Sequence, residues 1–524
     1  MAAGLSAARH DPPTVASDGP VRTDAVRRLL LGASVALLLV VGLARPNAAQ
    51  PDLSPRGWAP GTLLPLELSP ALVTVLLWAA YLVGAAAVVL GLRSGTKALR
   101  GWRVPGALAV AALLTAPFGS ADHVSYVAYG RILATGGNPW VESPTDWMNG
   151  ADPVTSRVEA PWTEEPSVYG PFATLLHGLS ALVGGPQLRQ EVWVWQLLVV
   201  LSWLGARWAL RSALPARLHG RVDAAWTLNP LVLGAGVLGA HVDVVAAALL
   251  VAAVALLVRL PGPVGLACAG GVLGLAASTK VTYGVGLLAV VAALWLVRDR
   301  SAPVAPVLGR VAVLVGGFVV VAGLLQLWGG SHVYDQLLRS RQAVSLATPW
   351  RPLLEAMRPS IGNADARTLV SAGAAVLAVL LAVLLGRATR GAVRSSDPAP
   401  QRLAATALRW TAVLSLAYSL AAPYSLPWYD VLVWAALPAL AAGWVDRLAL
   451  ARLLLMCLAY VPGRVLGMTP GVESVTLGFR REVAPWLALL VWLAAVGVSV
   501  AVGRRGSGPS SAPPRAGTPP TPTR

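Results

Sequence analysis

The chain has 524 residues, of which 56% are apolar and only 12% charged, and its mean hydropathy is +0.64. This balance excludes an ordinary soluble enzyme and indicates a membrane protein with several spanning segments. The net charge of +17 could indicate nucleic-acid binding, but the arginines lie in short clusters between apolar stretches, as in cytoplasmic loops. We therefore predict an all-α, polytopic membrane protein with no nucleic-acid partner.

Apolar stretches alternate with basic clusters along almost the whole chain. Residues 1–24 and 504–524 are polar and have no helical stripe, which predicts disordered cytoplasmic tails. Between them, residues 25–503 predict one transmembrane domain of about 13–14 helices. The predicted spans lie at 29–45, 69–92, 104–119, 190–211, 224–239, 241–259, 263–279, 281–297, 306–328, 367–388, 404–422, 427–445, 448–467 and 484–503.

The basic clusters predict the orientation. Arg27 and Arg28 precede the first span, so the N-terminus is predicted to be cytoplasmic. Whether or not span 29–45 is cleaved as a signal peptide, residue 50 is predicted to lie outside. The loops 120–170 and 330–366 are then extracytoplasmic. The segment 171–184 is short for a span of ~20 residues, and we interpret it as a re-entrant or interfacial helix, with a crossing left open.

A carboxylate, Asp122, stands where the third span ends. A charge at the edge of the hydrocarbon is costly unless it has a function, although an aspartate here could also cap a helix. Tyr126, Tyr129 and Arg131 follow at helical spacing, and the turn 136–140 contains two glycines that allow close approach of the backbone. This pattern favours a functional site over a simple cap.

Other polar residues also lie at predicted outer ends of spans. His241 and Asp243 open a span, where they could cap the helix or face a ligand. Two residues apart on a helix, they do not share a face, so a metal site from this pair alone is not expected, and one that also includes Asp122 is left open. Lys280 interrupts an apolar stretch and could bind a phosphate or extend to the membrane surface. Trp428 and Tyr429 could be interfacial aromatics, which explains their types but not the run Pro427–Tyr429 at the start of a span.

Together these motifs resemble those of the GT-C superfamily of membrane glycosyltransferases. They are most similar to those of the actinobacterial α-1,6-mannosyltransferases that use polyprenyl-phosphate mannose. The resemblance rests on Asp122–Tyr126, Tyr129–Arg131, Gly136–Trp140, Tyr169–Pro171, Asn229–Pro230, Gly239–Asp243 and Pro427–Tyr429. Two positions depart from the family pattern: Val242 stands where asparagine is common, and Trp140 where tyrosine is common.

The resemblance implies a GT-C fold and a hexosyltransferase on the outer face of the plasma membrane. Mannose would pass from the lipid-linked donor to a mannan acceptor in an α-1,6 linkage, as in lipomannan and lipoarabinomannan. It implies Asp122 as the base, oriented by His123. The residues implied for the donor phosphate are Lys280, Arg131, Arg339, Arg341 and Arg351. Those implied for the sugar or acceptor are Tyr126, Tyr129, Asn138, Trp140, Tyr169, His241, Asp243, Trp428 and Tyr429.

Three questions stay open at this point. No metal ligands are predicted, and a requirement for a divalent metal is left undecided. A GT-C enzyme with another lipid-phosphate sugar or acceptor would fit the same residues. A transporter or flippase is a further alternative, but its ionisable residues would lie near the midplane of the membrane rather than collect on one side.

Overall fold

The computed structural model describes residues 19–93, 97–340, 342–464 and 466–505. These residues form helices and loops, and none of the described segments is a β-strand. In chain order the α-helices are α1 Gly19–Leu43, α2 Pro70–Arg93, α3 Arg103–Leu114, α4 Asp122–Ala134, α5 Pro171–Gly184, α6 Leu188–Ala213, α7 His219–Val222, α8 Pro230–Val232, α9 Val242–Arg259, α10 Pro263–Thr279, α11 Val285–Val297, α12 Ala305–Gly329, α13 Asp335–Ser340, α14 Trp350–Ile361, α15 Asn363–Ala388, α16 Ala399–Ala421, α17 Val431–Ala436, α18 Trp444–Ala459, α19 Pro470–Gly478 and α20 Ala484–Arg505.

Eight helical segments of the described chain are long and apolar enough to cross a membrane. They are Thr23–Leu43, Pro70–Arg93, Leu188–Ala213, Val242–Arg259, Ala305–Gly329, Asn363–Ala388, Ala399–Ala421 and Pro470–Arg504. Four shorter apolar helical segments accompany them: Arg103–Leu114, Pro171–Gly184, Pro263–Thr279 and Val281–Val297. The prediction of an all-α, multi-pass membrane protein is confirmed.

Two predicted spans are broken rather than regular helices. Segment 224–239 is divided among π-helical turns at Asp223–Thr227 and Leu233–Leu238 and the short α8. Pro230 cannot donate a backbone hydrogen bond, and the Asn229 side chain caps the new turn by accepting from the Leu231 amide at 3.0 Å. Segment 427–445 likewise contains the short α17 between two 3-10 turns, and it ends at the start of α18. Buried protein surroundings make such backbone tolerable at membrane depth.

Helices α10 and α12 pack closely because glycines face the partner backbone. A Cβ on Gly270 would lie 2.0 Å from the Leu314 carbonyl oxygen, and a Cβ on Gly317 would lie 2.2 Å from that of Ala267. Small residues of this kind let membrane helices approach without large side chains between them. The pair brings the C-terminal end of α10, and with it Lys280, to a defined position.

The polar side chains separate into two ends of the bundle. At one end, the Asp223 carboxylate accepts from Arg207 and Arg211, each at 2.9 Å, and Arg221 pairs with Asp446. We call this the Asp223 end. Helix α9 finishes there, since Arg259 donates to the Ser212 hydroxyl at 2.9 Å.

The opposite end of α9 lies near Asp122, and we call it the Asp122 end. Both ends of α5 are found here. At the α5 N-terminus the Gly170 amide donates to the Thr279 carbonyl at 3.3 Å, and past its C-terminus Arg189 donates to the Pro60 carbonyl at 2.9 Å. Residue 60 lies in the loop between α1 and α2, at the same end of the bundle as the C-terminus of α3. These contacts favour the interpretation that α5 does not cross the membrane.

Both predicted tails differ from the structure at their inner boundaries, since α20 extends to Arg505. Helix α1 begins at Gly19, so residues 19–24 are helical. The remaining parts of the two predicted tails, 1–18 and 506–524, lie outside the described residues.

Candidate functional site

A cavity of about 980 Å³ opens at the Asp122 end. Its wall combines the start of α4, the loop before α5, the α10–α11 junction, α13, α15 and the hairpin after α16. The predicted site residues that line it are Asp122, Tyr126, Tyr129, Tyr169, Lys280, Arg339, Trp428 and Tyr429. Residues from both halves of the sequence therefore meet around one space.

Asp122 is the first residue of α4, and its side chain is 17% exposed. It does not cap the helix, because the N-cap is Ala121 and has no side-chain cap bond. Within the described part of the chain, no lysine or arginine forms an ion pair with it. Burial raises the pKa of the Asp122 carboxyl to about 7; Lys280 lowers it in part, and the charge of Asp243 raises it further. Such a carboxyl can exchange a proton near neutral pH.

His241 packs behind Asp122. Its Nδ1 lies 3.2 Å from the Tyr126 hydroxyl and 3.7 Å from the nearer Asp122 carboxylate oxygen, and its Nε2 lies 3.3 Å from the Ser120 hydroxyl. The imidazole stacks on the Trp428 indole at a centroid separation of 3.6 Å. His241 is only 1% exposed. It was predicted to contact the sugar or acceptor, but in the structure it supports Asp122 from behind and does not line the cavity.

The local backbone explains how His241 reaches this position. Ala240 has a φ of 52°, which is unusual for a residue with a Cβ. Its carbonyl accepts from the buried Trp195 indole at 2.7 Å, and the His241 amide donates to the Gly236 carbonyl at 3.0 Å. Val242 is fully buried, so the departure from the family amide at this position places an apolar side chain in the core.

Lys280 is the cation that the cavity exposes beside Asp122. Its ammonium donates to both Asp243 carboxylate oxygens, at 2.8 and 3.0 Å, and lies 3.9 Å from the centre of the Tyr429 ring. The Tyr283 hydroxyl also donates to Asp243, at 3.2 Å. Lys280 therefore does not extend to the membrane surface. Asp243 holds the Lys280 ammonium in place and is not itself part of the cavity wall.

The loop before α5 is fitted closely against the end of α10. A Cβ on Gly170 would lie 2.2 Å from the Ser278 carbonyl oxygen, so only glycine fits there. The preceding Tyr169 packs edge-on against Tyr126 at 5.0 Å between ring centres, and its carbonyl accepts from the Trp140 indole at 2.8 Å. This contact fixes the aromatic wall relative to Lys280.

Helical geometry separates His123 from the site. Consecutive residues of a helix point about 100° apart, so His123 faces away from Asp122 into the protein. It is completely buried, both ring nitrogens lack a partner in the described structure, and burial lowers the pKa of its imidazole to about 3. In the described structure His241, and not His123, lies beside Asp122, so the contacts do not support the predicted orienting role of His123.

Other predicted residues also lie outside the cavity wall. Arg131 pairs with Asp152 at 2.9 Å, and Arg351 pairs with Glu355 at 2.6 Å. The Asn138 side chain accepts from the Trp140 amide at 3.1 Å, which makes both residues part of the turn. Glu355 is four residues from Arg351, but Asp152 is 21 residues from Arg131, and residue type alone does not distinguish such partners from ligands. Arg341 lies outside the described residues.

Several lining residues were not predicted, among them Tyr418, Tyr424 and Trp162. Arg452 was not predicted as part of this region either; it is buried in α18 and pairs with Asp430 at 2.8 Å. This ion pair holds the hairpin that carries Trp428 and Tyr429. No spacing in the sequence relates residues 430 and 452; the available signal was an arginine within a mostly apolar stretch.

No group of three His, Cys, Asp or Glu side chains in the described ranges is placed to hold a metal ion.

Comparison with known proteins is consistent with these motifs. The N-terminal domain profile of the alpha-(1→6)-mannopyranosyltransferase family matches residues 29–298. The chain belongs to this family. The matched range includes the whole of the Asp122, Tyr169, His241 and Lys280 cluster, and the hairpin 423–430 lies beyond it.

Two curated relatives carry the family name. The alpha-(1→6)-mannopyranosyltransferase B of Corynebacterium glutamicum is 25% identical over 66% of this chain and 59% of its own length. The alpha-(1→6)-mannopyranosyltransferase A of Mycobacterium tuberculosis is 27% identical over 60% of each protein. The similar region thus spans about three fifths of the length of these relatives.

One solved structure is also similar. ArnT from Cupriavidus metallidurans, bound to undecaprenyl phosphate, shares 16% sequence identity and a TM-score of 0.34, over 83% of this chain and 78% of ArnT.

Proposed function

We propose that the protein transfers mannose from polyprenyl-phosphate mannose to a mannan acceptor, forming an α-1,6 linkage. The observation that carries this proposal is the pairing of one carboxyl, Asp122, with one cation, Lys280, in a single cavity. Family membership supports the reaction class. The site lies on the outer face of the plasma membrane, and the acceptor is a lipomannan or lipoarabinomannan-type glycan.

The proposed reaction is a single displacement. Asp122 removes the proton from the acceptor hydroxyl as its oxygen attacks the anomeric carbon of mannose. The bond between that carbon and the phosphate oxygen breaks, and the lipid phosphate leaves with the electron pair. Attack opposite the leaving group converts a β-linked donor to an α-linked product.

The departing phosphate needs positive charge but no strong acid. Lys280 supplies a cation whose position is set by Asp243 and Tyr429. Arg339 also lines the cavity, and it is the second candidate for this contact. His241, Tyr126 and Ser120 hold Asp122 in place, which keeps its carboxylate directed into the cavity.

A stripe of small residues on α15 suits the lipid chain of the donor. Ser371, Ala374, Ala375 and Ala378 follow at helical spacing and line the cavity. Ala375 is exposed on the outer surface of this apolar span, so the cavity is continuous with the region where lipid would lie. A prenyl chain could leave along this stripe while its phosphate remains near Lys280.

The test is a membrane assay with labelled lipid-phosphate sugars and mannan acceptors. Transfer of mannose alone, with an α-1,6 product by linkage analysis, is expected. Transfer of arabinose or glucose instead would mean that the protein has the same fold but uses another donor sugar. Labelling of a cysteine introduced near residue 150 only from the cytoplasmic side would contradict the outer-face assignment.

A further inference from the structure

The volume of the cavity exceeds the space that the reacting groups beside Asp122 and Lys280 would occupy. Its volume of about 980 Å³ is at the upper end for pockets that enclose one drug-sized ligand. A mannosyl phosphate beside Asp122 and Lys280 would leave much of this space open. The remaining wall must therefore contact another part of a substrate.

One part of that wall is a turn in the loop before α5, residues 159–165. Trp162, Glu164 and Glu165 from this turn line the cavity. The Trp162 side chain is partly buried and Glu164 is exposed. The described structure shows no hydrogen-bond partner for the Trp162 indole N–H or the Glu164 carboxylate.

The turn is held rigidly by its other residues. Glu159 forms an ion pair with Arg464, and the Thr145 hydroxyl donates to the Thr163 carbonyl at 2.8 Å. The Tyr129 hydroxyl donates to the Glu165 carbonyl at 2.9 Å, and the Gln336 amide donates to the Glu165 carboxylate. Each neighbour of Trp162 and Glu164 is thus fixed, which pre-organises these two side chains for a ligand.

The free groups suit a neutral sugar. An indole offers a flat apolar face on which a pyranose ring can stack, and a carboxylate accepts hydrogen bonds from hydroxyl groups. A carboxylate would repel the donor phosphate, so this wall does not suit the reacting end of the lipid. The small-residue stripe on α15 instead provides the apolar wall for the lipid chain.

We propose that the turn 159–165 is an acceptor subsite, which binds a mannose unit that precedes the one receiving the new sugar. Trp162 stacks on this unit and Glu164 accepts hydrogen bonds from its hydroxyls. The proposal rests on the proposed function. It makes the enzyme prefer acceptors of two or more sugars over a single mannoside.

The test compares the kcat/KM for mono-, di- and trimannoside acceptors. Trp162→Ala and Glu164→Gln should each lower the value for the longer acceptors by about tenfold, the size of one lost aromatic or charge-assisted contact. The value for the monomannoside and the KM for the lipid donor should not change. Glu473→Gln is the matched control, since Glu473 is an exposed carboxylate outside the cavity.

Two results would overturn the subsite. One is an equal loss for all three acceptors, which would make the turn a structural support; the other is no loss in either variant. Failure of the unmodified protein to transfer mannose to any acceptor would instead contradict the proposed function, so the two failures are distinguishable.

Discussion

Asp122 and Asp223 are carboxylates at opposite ends of the same bundle, and their surroundings differ. Asp223 is fully buried and accepts from Arg207 and Arg211, from the Thr227 hydroxyl at 3.1 Å and from the Leu99 amide at 2.8 Å. Asp122 forms no ion pair with a lysine or arginine among the described residues, and it faces a cavity. A carboxylate with every acceptor position used stabilises structure, whereas one left free in a cavity is available for chemistry.

The sharpest test of this contrast is Asp122→Asn. We expect kcat to fall by about 10³-fold, because an amide cannot accept the proton of the acceptor hydroxyl. The melting temperature should change little, because no ion pair is lost. The measurements are initial rates with the labelled donor and thermal unfolding in detergent; near-normal turnover would remove Asp122 as the base.

Asp223→Asn should have the opposite effect. It leaves Arg207, which is 3% exposed, and Arg211 without their shared counter-charge. Removing one partner of a buried pair costs about 3–5 kcal/mol of folding free energy. Activity per folded molecule should stay close to normal, as measured after separating folded protein by size exclusion. A stable variant with lost turnover would contradict the structural assignment.

The pH dependence of kcat/KM sharpens the comparison further. The pKa of Asp122 is raised to about 7, and a base must be ionised to act. Activity should therefore fall about tenfold per pH unit below pH 7 and level off above it. An aspartate with an ordinary pKa of about 3.9 would give a flat profile in this range. A flat profile from pH 5.5 to 8 would show that another group limits the reaction.

The smallest effect is expected for His123→Leu. His123 is buried with both ring nitrogens unpartnered, so an apolar side chain of similar size should be neutral or stabilising. We expect kcat/KM to stay within about twofold, whereas His241→Leu should lower it because Asp122 loses its support. A large loss of kcat/KM in His123→Leu, with normal folding, would show that His123 does act at the site.

Much of the fold could be predicted because the membrane imposes a simple rule on the sequence. Apolar stretches long enough for helices and basic clusters between them indicate a multi-pass bundle, whatever its packing. The broken segments at 224–239 and 427–445 were missed because apolar composition does not distinguish a buried irregular segment from a lipid-facing helix.

The sequence predicted the candidate site less completely than it predicted the fold. Asp122, Lys280 and the aromatic residues were found because a costly polar group at a helix end is visible in the sequence. Arg131 and Arg351 lie outside the cavity wall, where each pairs with a carboxylate, and composition does not reveal such pairs.

By itself, the sequence determined the membrane class, the helical content and the residue types available for chemistry, since each follows from local hydropathy and charge. Only the tertiary structure decided that His241 and not His123 supports Asp122, that Asp243 holds Lys280, and that Arg452 holds the hairpin of Trp428. The physical reason is that these pairs form between helices distant in sequence. Their distances depend on how the helices pack, and no local pattern encodes that.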